Sequence, residues 1–324
     1  MLTYAEALER VGEGERPSVI LGNGFSRAWR DDIFNYANLL DAANFGPRDD
    51  QIRELFRRLD TYDFEAVMRC LVSARTVLES YGDGAHLGEQ IRADEQGLKD
   101  ALIAAIAQTH PERPWDVTND QYSAVRSFLC TFASIFTLNY DLLLYWSRNV
   151  DVQPPLRTDD GFRRESKWLG YGTNQQVHFL HGGLHIFDSP AGVKKHTFDG
   201  GGSIIDQVRD NLNEGRFPLF VSEPTSKRKL ARIEHNPYLN FCYRALSNLN
   251  GTVFVLGHSI DENDKHIFDA VKNSAVSQIF MSLYGDERSD ANTRSKANAL
   301  AYLGGPGRLV EFFDAATSRV WEQG

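Results

Sequence analysis

Phe136-Thr137-Leu138-Asn139-Tyr140-Asp141 is the stretch that decides the fold of this chain. The apolar run over residues 132–138 predicts a buried strand, and residues 142–146 predict a helix with Asp141 as its candidate N-cap. Asn139 and Asp141 would then stand at the carboxyl end of a strand, which is where open α/β sheets bind their ligands. The stretch therefore predicts both a central strand and part of a binding site.

Three further apolar runs end in small or polar residues. Residues 19–21 run into Gly22-Asn23-Gly24-Phe25-Ser26, residues 177–180 into His181-Gly182-Gly183, and residues 253–256 into Gly257-His258-Ser259. Two glycines around Asn23 would let backbone amides approach a phosphate closely. Because the carboxyl ends of parallel strands meet at one edge of a sheet, the four turns predict a single ligand crevice.

The order of the elements predicts an α/β fold, a Rossmann-like doubly wound parallel sheet with an inserted helical module. Residues 31–130 show mostly helical periodicity and are too long for an ordinary crossover between two strands. We therefore predict one sheet domain from residues 1–30 and 131–324, interrupted by this module. Further strands are predicted at 217–221, 276–284 and 309–313, and a final helix is predicted through Trp321.

Composition excludes several classes of protein. The chain has 324 residues and a formal net charge of −9, so a large basic face for nucleic acid is not expected, and Lys227-Arg228-Lys229 is interpreted as a solvated loop. No apolar run is long enough to span a bilayer, and the N-terminus lacks a signal-peptide pattern. The three cysteines, Cys70, Cys130 and Cys242, form no pair, which favours free thiols in a reducing cytoplasm.

His181 is the sharpest candidate for chemistry, because it follows a strand and can gain or lose a proton near neutral pH. The alternative is a histidine hydrogen-bonded inside a turn. His178 and His185 would share a face with His181 only on a helix, which Gly182-Gly183 disfavours, so no metal site is predicted.

The other polar residues at the strand ends also have two interpretations. Asn139 could hold a water or a ribose hydroxyl, or only cap a turn. Asp141 could bind a ligand or only cap a helix. Ser26 and Ser259 could donate to phosphates or cap helices, and His258 is interpreted as a turn residue. Residues 151–176, rich in proline, glycine and charge, form either a loop over the site or a surface excursion.

Taken together, the four turns resemble the sirtuin superfamily, and within it the bacterial sirtuin-like NAD-hydrolase branch of the phage-defence type. Gly22-Asn23-Gly24-Phe25-Ser26 resembles the sirtuin Gly-Ala-Gly-x-Ser turn, and Thr137-Leu138-Asn139-Tyr140-Asp141 resembles Thr-Gln-Asn-x-Asp. His181-Gly182 resembles the catalytic His-Gly, and Gly257-His258-Ser259 resembles Gly-Thr-Ser. The four motifs occur in the order that the family has.

The resemblance implies a role for each matching residue. Asn139 would hold the nicotinamide ribose or the attacking water, and His181 would act as general base on a ribose hydroxyl. Asp141 would contact the carboxamide of NAD. The remaining NAD-binding residues would be Gly22, Asn23, Gly24, Phe25 and Ser26 at the pyrophosphate, and Gly257 and Ser259 at phosphate and the adenine-side ribose. Ser282 and Tyr284 match none of the motifs and are predicted near adenine from their place at the end of the strand predicted over 276–284.

The chain lacks the four-cysteine zinc module that helps deacetylating sirtuins to form their acyl-lysine groove, so the resemblance favours NAD hydrolysis over deacylation. It implies an NAD glycohydrolase that cleaves NAD⁺, as substrate and without a metal, to nicotinamide and ADP-ribose in anti-phage defence. It also implies a homo-oligomer, or a helicase-type or other ATPase partner, as activator. The alternatives are a non-catalytic sensor of NAD or ADP-ribose, or a structural subunit of a defence complex with a helicase-type motor.

Overall fold

Six strands form one sheet in which each strand runs parallel to its neighbours. The computed structural model describes residues 1–34, 36–82, 85–198, 203–214, 216–223 and 225–322. Its strands are β1 (Ser18–Leu21), β2 (Ile135–Thr137), β3 (Val177–Phe179), β4 (Gly182–Gly183), β5 (Ile186–Ser189), β6 (Gly192–Lys195), β7 (Leu219–Phe220), β8 (Asn250–Leu256), β9 (Ala275–Leu283) and β10 (Leu309–Asp314). The large sheet has the order β10-β9-β8-β1-β2-β3. The predicted α/β class with a parallel sheet is confirmed.

Helices occupy most of the chain between the strands. They are α1 (Tyr4–Glu9), α2 (Asn23–Arg27), α3 (Asp31–Phe34), α4 (Tyr36–Ala42), α5 (Asp49–Arg58), α6 (Phe64–Tyr81), α7 (Ala85–Thr109), α8 (Asn119–Leu129), α9 (Leu143–Asn149), α10 (Ile204–Asn213), α11 (Ser226–His235), α12 (Pro237–Ser247), α13 (Lys265–Lys272) and α14 (Asp290–Leu303). Every residue of β1 is buried although successive side chains point to opposite faces, so both faces of the sheet are covered there. Within the described ranges no helix has the length and apolar character needed to cross a membrane.

The chain changes direction across the sheet at β1. From β1 it continues through β2 to β3 at one edge, then returns to β8 on the other side of β1 and continues outward to β10. The segments that follow β1 and β8 therefore diverge and leave a crevice outside the carboxyl ends of these two strands. Residues 22–26 and 257–259 lie at this crevice because they directly follow β1 and β8.

The helical stretch between β1 and β2 is built on long amphipathic helices. The helices α6 and α7 pack against each other, and Phe56 meets Phe64 edge to face with 5.0 Å between ring centroids. Thr118 begins α8 with a capping box, because its hydroxyl accepts the amide hydrogen of Gln121 and the Gln121 side chain accepts that of Thr118. The helical character predicted for this stretch agrees with the structure, while its status as an inserted module stays a prediction.

Two predicted elements need correction. The run at 217–221 is a strand only over Leu219–Phe220, and β7 pairs antiparallel with β4, outside the parallel sheet. Pro218 precedes β7 and has no amide hydrogen to donate to a ladder, which limits the length of this strand. The helix predicted through Trp321 is a 3₁₀ turn, Ala315–Ser318, which ends where Arg319 adopts a left-handed backbone with φ of 43°.

Candidate functional site

The turns that follow β1, β2, β3 and β8 surround a cavity of about 920 Å³. Nine of the predicted site residues line this cavity: Asn23, Gly24, Asn139, Asp141, His181, Gly257, Ser259, Ser282 and Tyr284. The other three, Gly22, Phe25 and Ser26, do not line it, and Ser26 is fully buried. The structure thus brings residues from all four predicted strand ends to one crevice.

Two parts of the cavity wall were missed by the sequence analysis. The C-terminal segment, residues 315–322, forms one side, where the Trp321 indole Nε1 donates a hydrogen bond to the Phe25 carbonyl (2.8 Å). The helices α6 and α7 add apolar residues, including Phe64 and Leu102. An apolar residue at helical spacing gives the same signal whether it faces a core or a cavity. Residues 151–176 do not line the cavity, which agrees with the surface-excursion interpretation.

Asn139 is fixed in orientation by its neighbours. Its Nδ2 donates to the Gly22 carbonyl (3.0 Å) and to Ser26 Oγ (2.8 Å), and a carbonyl can only accept, which settles the orientation of the amide. Ser26 Oγ in turn donates to Asp141 Oδ2 (2.5 Å). Both amide hydrogens of Asn139 are therefore used within the protein, and Oδ1 is the group that it can offer to a ligand.

The N-cap of α9 is Leu142 and not, as the sequence predicted, Asp141, but the Asp141 side chain still contacts the start of this helix. Its Oδ1 accepts the amide hydrogen of Leu143, the first residue of α9, and its side chain also lines the cavity. Burial raises the pKa of Asp141, and the hydrogen bonds from Ser26 and Leu143 oppose this effect. Asp141 is thus a cavity-lining carboxyl group whose orientation is set from both sides.

The turns after β1 and β8 touch through their backbones. Gly24 N donates to the Gly257 carbonyl (2.8 Å), and Gly22 N donates to the Leu256 carbonyl (2.9 Å). A Cβ on Gly24 would come within 2.5 Å of Gly257 Cα, so only glycine allows this approach. The amides of Gly22 and Gly24 are occupied within the protein, and phosphate binding by this turn stays a prediction.

His181 lies at the centre of a cluster of ionisable side chains at the cavity wall. It is 2% exposed, and its Nε2 lies 3.3 Å from His266 Nε2 and 3.8 Å from Asp264 Oδ1. Asp264 also accepts hydrogen bonds on both of its carboxylate oxygens. Lys229 Nζ donates to Oδ1 (2.8 Å), and His258 Nε2 donates to Oδ2 (3.1 Å). The predicted turn residue His258 therefore belongs to this cluster as well.

The cluster has a definite charge distribution. Burial lowers the pKa of His181 well below its usual range, and the Asp264 carboxylate opposes this only in part. Burial by itself raises the pKa of Asp264, but the hydrogen bond from His258 and the Lys229 ammonium outweigh it and hold this pKa well below its usual range. At neutral pH, His181 is thus a neutral imidazole close to an ionised carboxylate, an arrangement that can accept a proton.

Lys229, Asp264 and His266 were not predicted as site residues. The interpretation of Lys229 as part of a solvated loop was wrong: it lies on α11, 1% exposed, on the same helix face as the buried Ile233. Asp264 directly precedes α13, but its side chain does not cap the helix and instead pairs within the cluster. The one local signal that could have indicated burial of Lys229 is the helical spacing between Lys229 and Ile233.

The histidine that supports the central stretch predicts acid sensitivity. His110 Nε2 accepts the amide hydrogen of Leu142 (2.9 Å), and burial lowers the pKa of His110 to about 4. A histidine in the unfolded chain titrates near pH ~6.5, so between that pH and 4 the unfolded state binds more protons at this residue than the native state does. The contribution of His110 to the free energy of unfolding is therefore complete above pH ~6.5 and is lost as the pH falls toward 4. From pH ~7.5 to ~5 this group should cost about 2 kcal/mol of unfolding free energy.

The check is urea denaturation at the two pH values for the wild type and for His110→Gln, whose side chain can still accept the Leu142 hydrogen bond. We expect the difference in unfolding free energy between the two pH values to be smaller by about 2 kcal/mol in this variant than in the wild type. The control His86→Gln changes an exposed histidine of α7 and should leave the pH dependence unaltered. Equal pH dependence in all three proteins would contradict the prediction.

Comparison with known proteins adds the following. The sequence model of a family described as "Domain of unknown function (DUF4917)" matches residues 19–321. A search of curated proteins finds no match. A solved structure of mutant Sir2 homologues in complex with 2'-O-acetyl ADP ribose is 12% identical, covers 93% of this chain and 98% of its own, and gives a TM-score of 0.34. A Sir2 homologue mutant in complex with ADP ribose is 13% identical, with coverages of 92% and 95% and a TM-score of 0.32.

Proposed function

Because the chain belongs to a family described as a domain of unknown function (DUF4917), we propose its function from its own site: hydrolysis of NAD⁺ to nicotinamide and ADP-ribose. The observation that carries the proposal is that Asn139 and His181 line one cavity at the switch point of the sheet, each within hydrogen-bonding distance of a buried side chain. The resemblance of the four strand-end motifs to sirtuins supplies the substrate class.

The proposed reaction breaks the bond between C1' of the ribose and the nicotinamide nitrogen. Nicotinamide leaves as a neutral molecule, and the ribose becomes oxocarbenium-like. A water then adds to C1' and its proton returns to the ribose oxygen that His181 has deprotonated, so the one net proton released is the proton that His181 gives to solvent. His181 accepts a proton from a ribose hydroxyl, and the Asp264 carboxylate 3.8 Å away stabilises the imidazolium that results. Asn139 Oδ1 accepts a hydrogen bond from the ribose or from the water, and Asp141 contacts the carboxamide.

The test is nicotinamide release from NAD⁺ by the purified full chain, followed by chromatography, with calorimetric binding of ADP-ribose in parallel. Release of nicotinamide and ADP-ribose in equal amounts is the expected result. If neither release nor binding is observed with the folded protein, the proposal is wrong.

A second candidate is a sensor that binds NAD or ADP-ribose without cleaving it. It is favoured by the near-complete burial of His181 and by the occupied amides of Gly22 and Gly24 in the turn after β1. Binding without release, also in the presence of a cell extract that could supply an activator, would identify this function. On the sequence resemblance alone, we extend the hydrolase proposal to anti-phage defence with activation by self-association or by a helicase-type partner.

A further inference from the structure

Three side chains of the cluster place ligand atoms where a metal ion would need them. His181, His266 and Asp264 each offer one ligand atom within 4.8 Å of the other two. His181 Nε2 lies 3.3 Å from His266 Nε2 and 3.8 Å from Asp264 Oδ1. In a tetrahedral zinc site with Zn–N distances of about 2.0–2.1 Å, neighbouring ligand atoms are about 3.3 Å apart. The two histidines thus already have the spacing of adjacent zinc ligands.

We propose that His181, His266 and Asp264 bind a transition-metal ion of the Zn²⁺ type reversibly, with water completing the tetrahedron. Occupation of this site takes the Nε2 lone pair of His181, and therefore inhibits the hydrolysis of NAD⁺. The inhibition rests on the proposed function, whereas the metal site itself does not. No local sequence signal indicates the metal site, because His181 and His266 are 85 residues apart in the chain.

The surroundings of the histidines suit such a site. Ser226 Oγ lies 3.2 Å from His266 Nδ1 and also accepts the backbone amide hydrogen of His266 (2.8 Å). A hydrogen bond from Nδ1–H to this oxygen selects the tautomer that leaves Nε2 of His266 as a ligand, as is usual for metal-binding histidines. With the proton on Nδ1, the Nε2 lone pair of His266 is available to coordinate an ion.

Lys229 sets the strength and selectivity of the site. Its ammonium lies 2.8 Å from the same Asp264 Oδ1 that would bind the ion, so the two cations compete for one oxygen. Two imidazoles and one partly neutralised carboxylate disfavour Mg²⁺ and Ca²⁺, which prefer several oxygen ligands, and favour ions that bind imidazole well. The site should therefore bind Zn²⁺ or Co²⁺ reversibly instead of holding a permanent structural ion.

The direct test titrates the chelator-treated full chain with Co²⁺ and follows the visible absorption of tetrahedral Co²⁺, with Zn²⁺ as competitor. We expect one equivalent to bind and Zn²⁺ to displace it. His266→Ala should weaken binding by at least about 100-fold, because changing even an outer hydrogen-bonding partner typically costs about 10- to 100-fold. His235→Ala, which alters an exposed histidine of α11, should bind Co²⁺ like the wild type.

A second variant keeps the test decisive if His266→Ala does not fold. Lys229→Met frees Asp264 from its competing cation and should tighten Co²⁺ binding at least about tenfold. Binding that is unchanged in both variants would overturn the proposal. Metal binding by a chain that neither releases nicotinamide nor binds ADP-ribose would refute the proposed function alone, and hydrolysis without metal binding would refute the metal site alone.

Discussion

Replacing His181 by alanine is expected to slow nicotinamide release by at least about 100-fold, the lower end of what a positioned general base contributes. The variant removes the imidazole that lies 3.8 Å from the Asp264 carboxylate, but it leaves the Asn139, Ser26 and Asp141 hydrogen bonds intact. ADP-ribose affinity should therefore change only a few-fold. The measurement is the initial rate of release at saturating NAD⁺, with a chelator present, together with calorimetry of ADP-ribose.

The matched control is His235→Ala, which removes an exposed histidine from the neighbouring α11 and should release nicotinamide like the wild type. Folding of His181→Ala is checked by its urea midpoint, because a buried neutral histidine leaves a cavity when truncated. A folded His181→Ala protein that keeps wild-type release would remove this residue from the mechanism. A variant that loses ADP-ribose binding as well would assign His181 to binding instead of proton transfer.

The local features of the site could be predicted from the sequence. Apolar runs that end in Asn139 or His181 define the strands and their carboxyl ends, and parallel pairing then brings these ends together. This reasoning uses only neighbouring residues and one rule of sheet topology. It succeeds because the hydrophobic pattern that specifies a buried parallel strand is continuous in sequence.

The polar network behind His181 could not be predicted in the same way. Lys229 lies on α11, His266 lies on α13 and Asp264 directly precedes α13, and no periodicity shows that these two helices pack against each other. A buried lysine is read from sequence as exposed, because a lysine is rarely fully buried unless it is paired. The pairing with Asp264 depends on tertiary packing, which the sequence pattern does not specify.

The contact between the turns after β1 and β8 gives the second large prediction: Gly257→Ala should destabilise the protein by about 3 kcal/mol or more and abolish ADP-ribose binding. Gly257 has φ of 69°, and its Cβ would lie 2.6 Å from Gly24 Cα. The backbone strain costs about 1–2 kcal/mol, and separating the two backbones costs about as much again. The displaced turn also carries Asn23 and Gly24, which line the cavity.

Gly285→Ala is the control that separates these two effects. Gly285 has a similar φ of 75°, but a Cβ there meets no atom within 4 Å. The free energy of unfolding of Gly285→Ala should therefore fall only by the cost of a left-handed backbone at alanine, about 1–2 kcal/mol. This variant should keep its affinity for ADP-ribose. Urea denaturation and calorimetry of both variants measure the difference. If both variants lose the same unfolding free energy, the positive φ alone accounts for the need for glycine at position 257. If Gly257→Ala loses more unfolding free energy and also loses ADP-ribose binding, the close approach of the two turns builds the site.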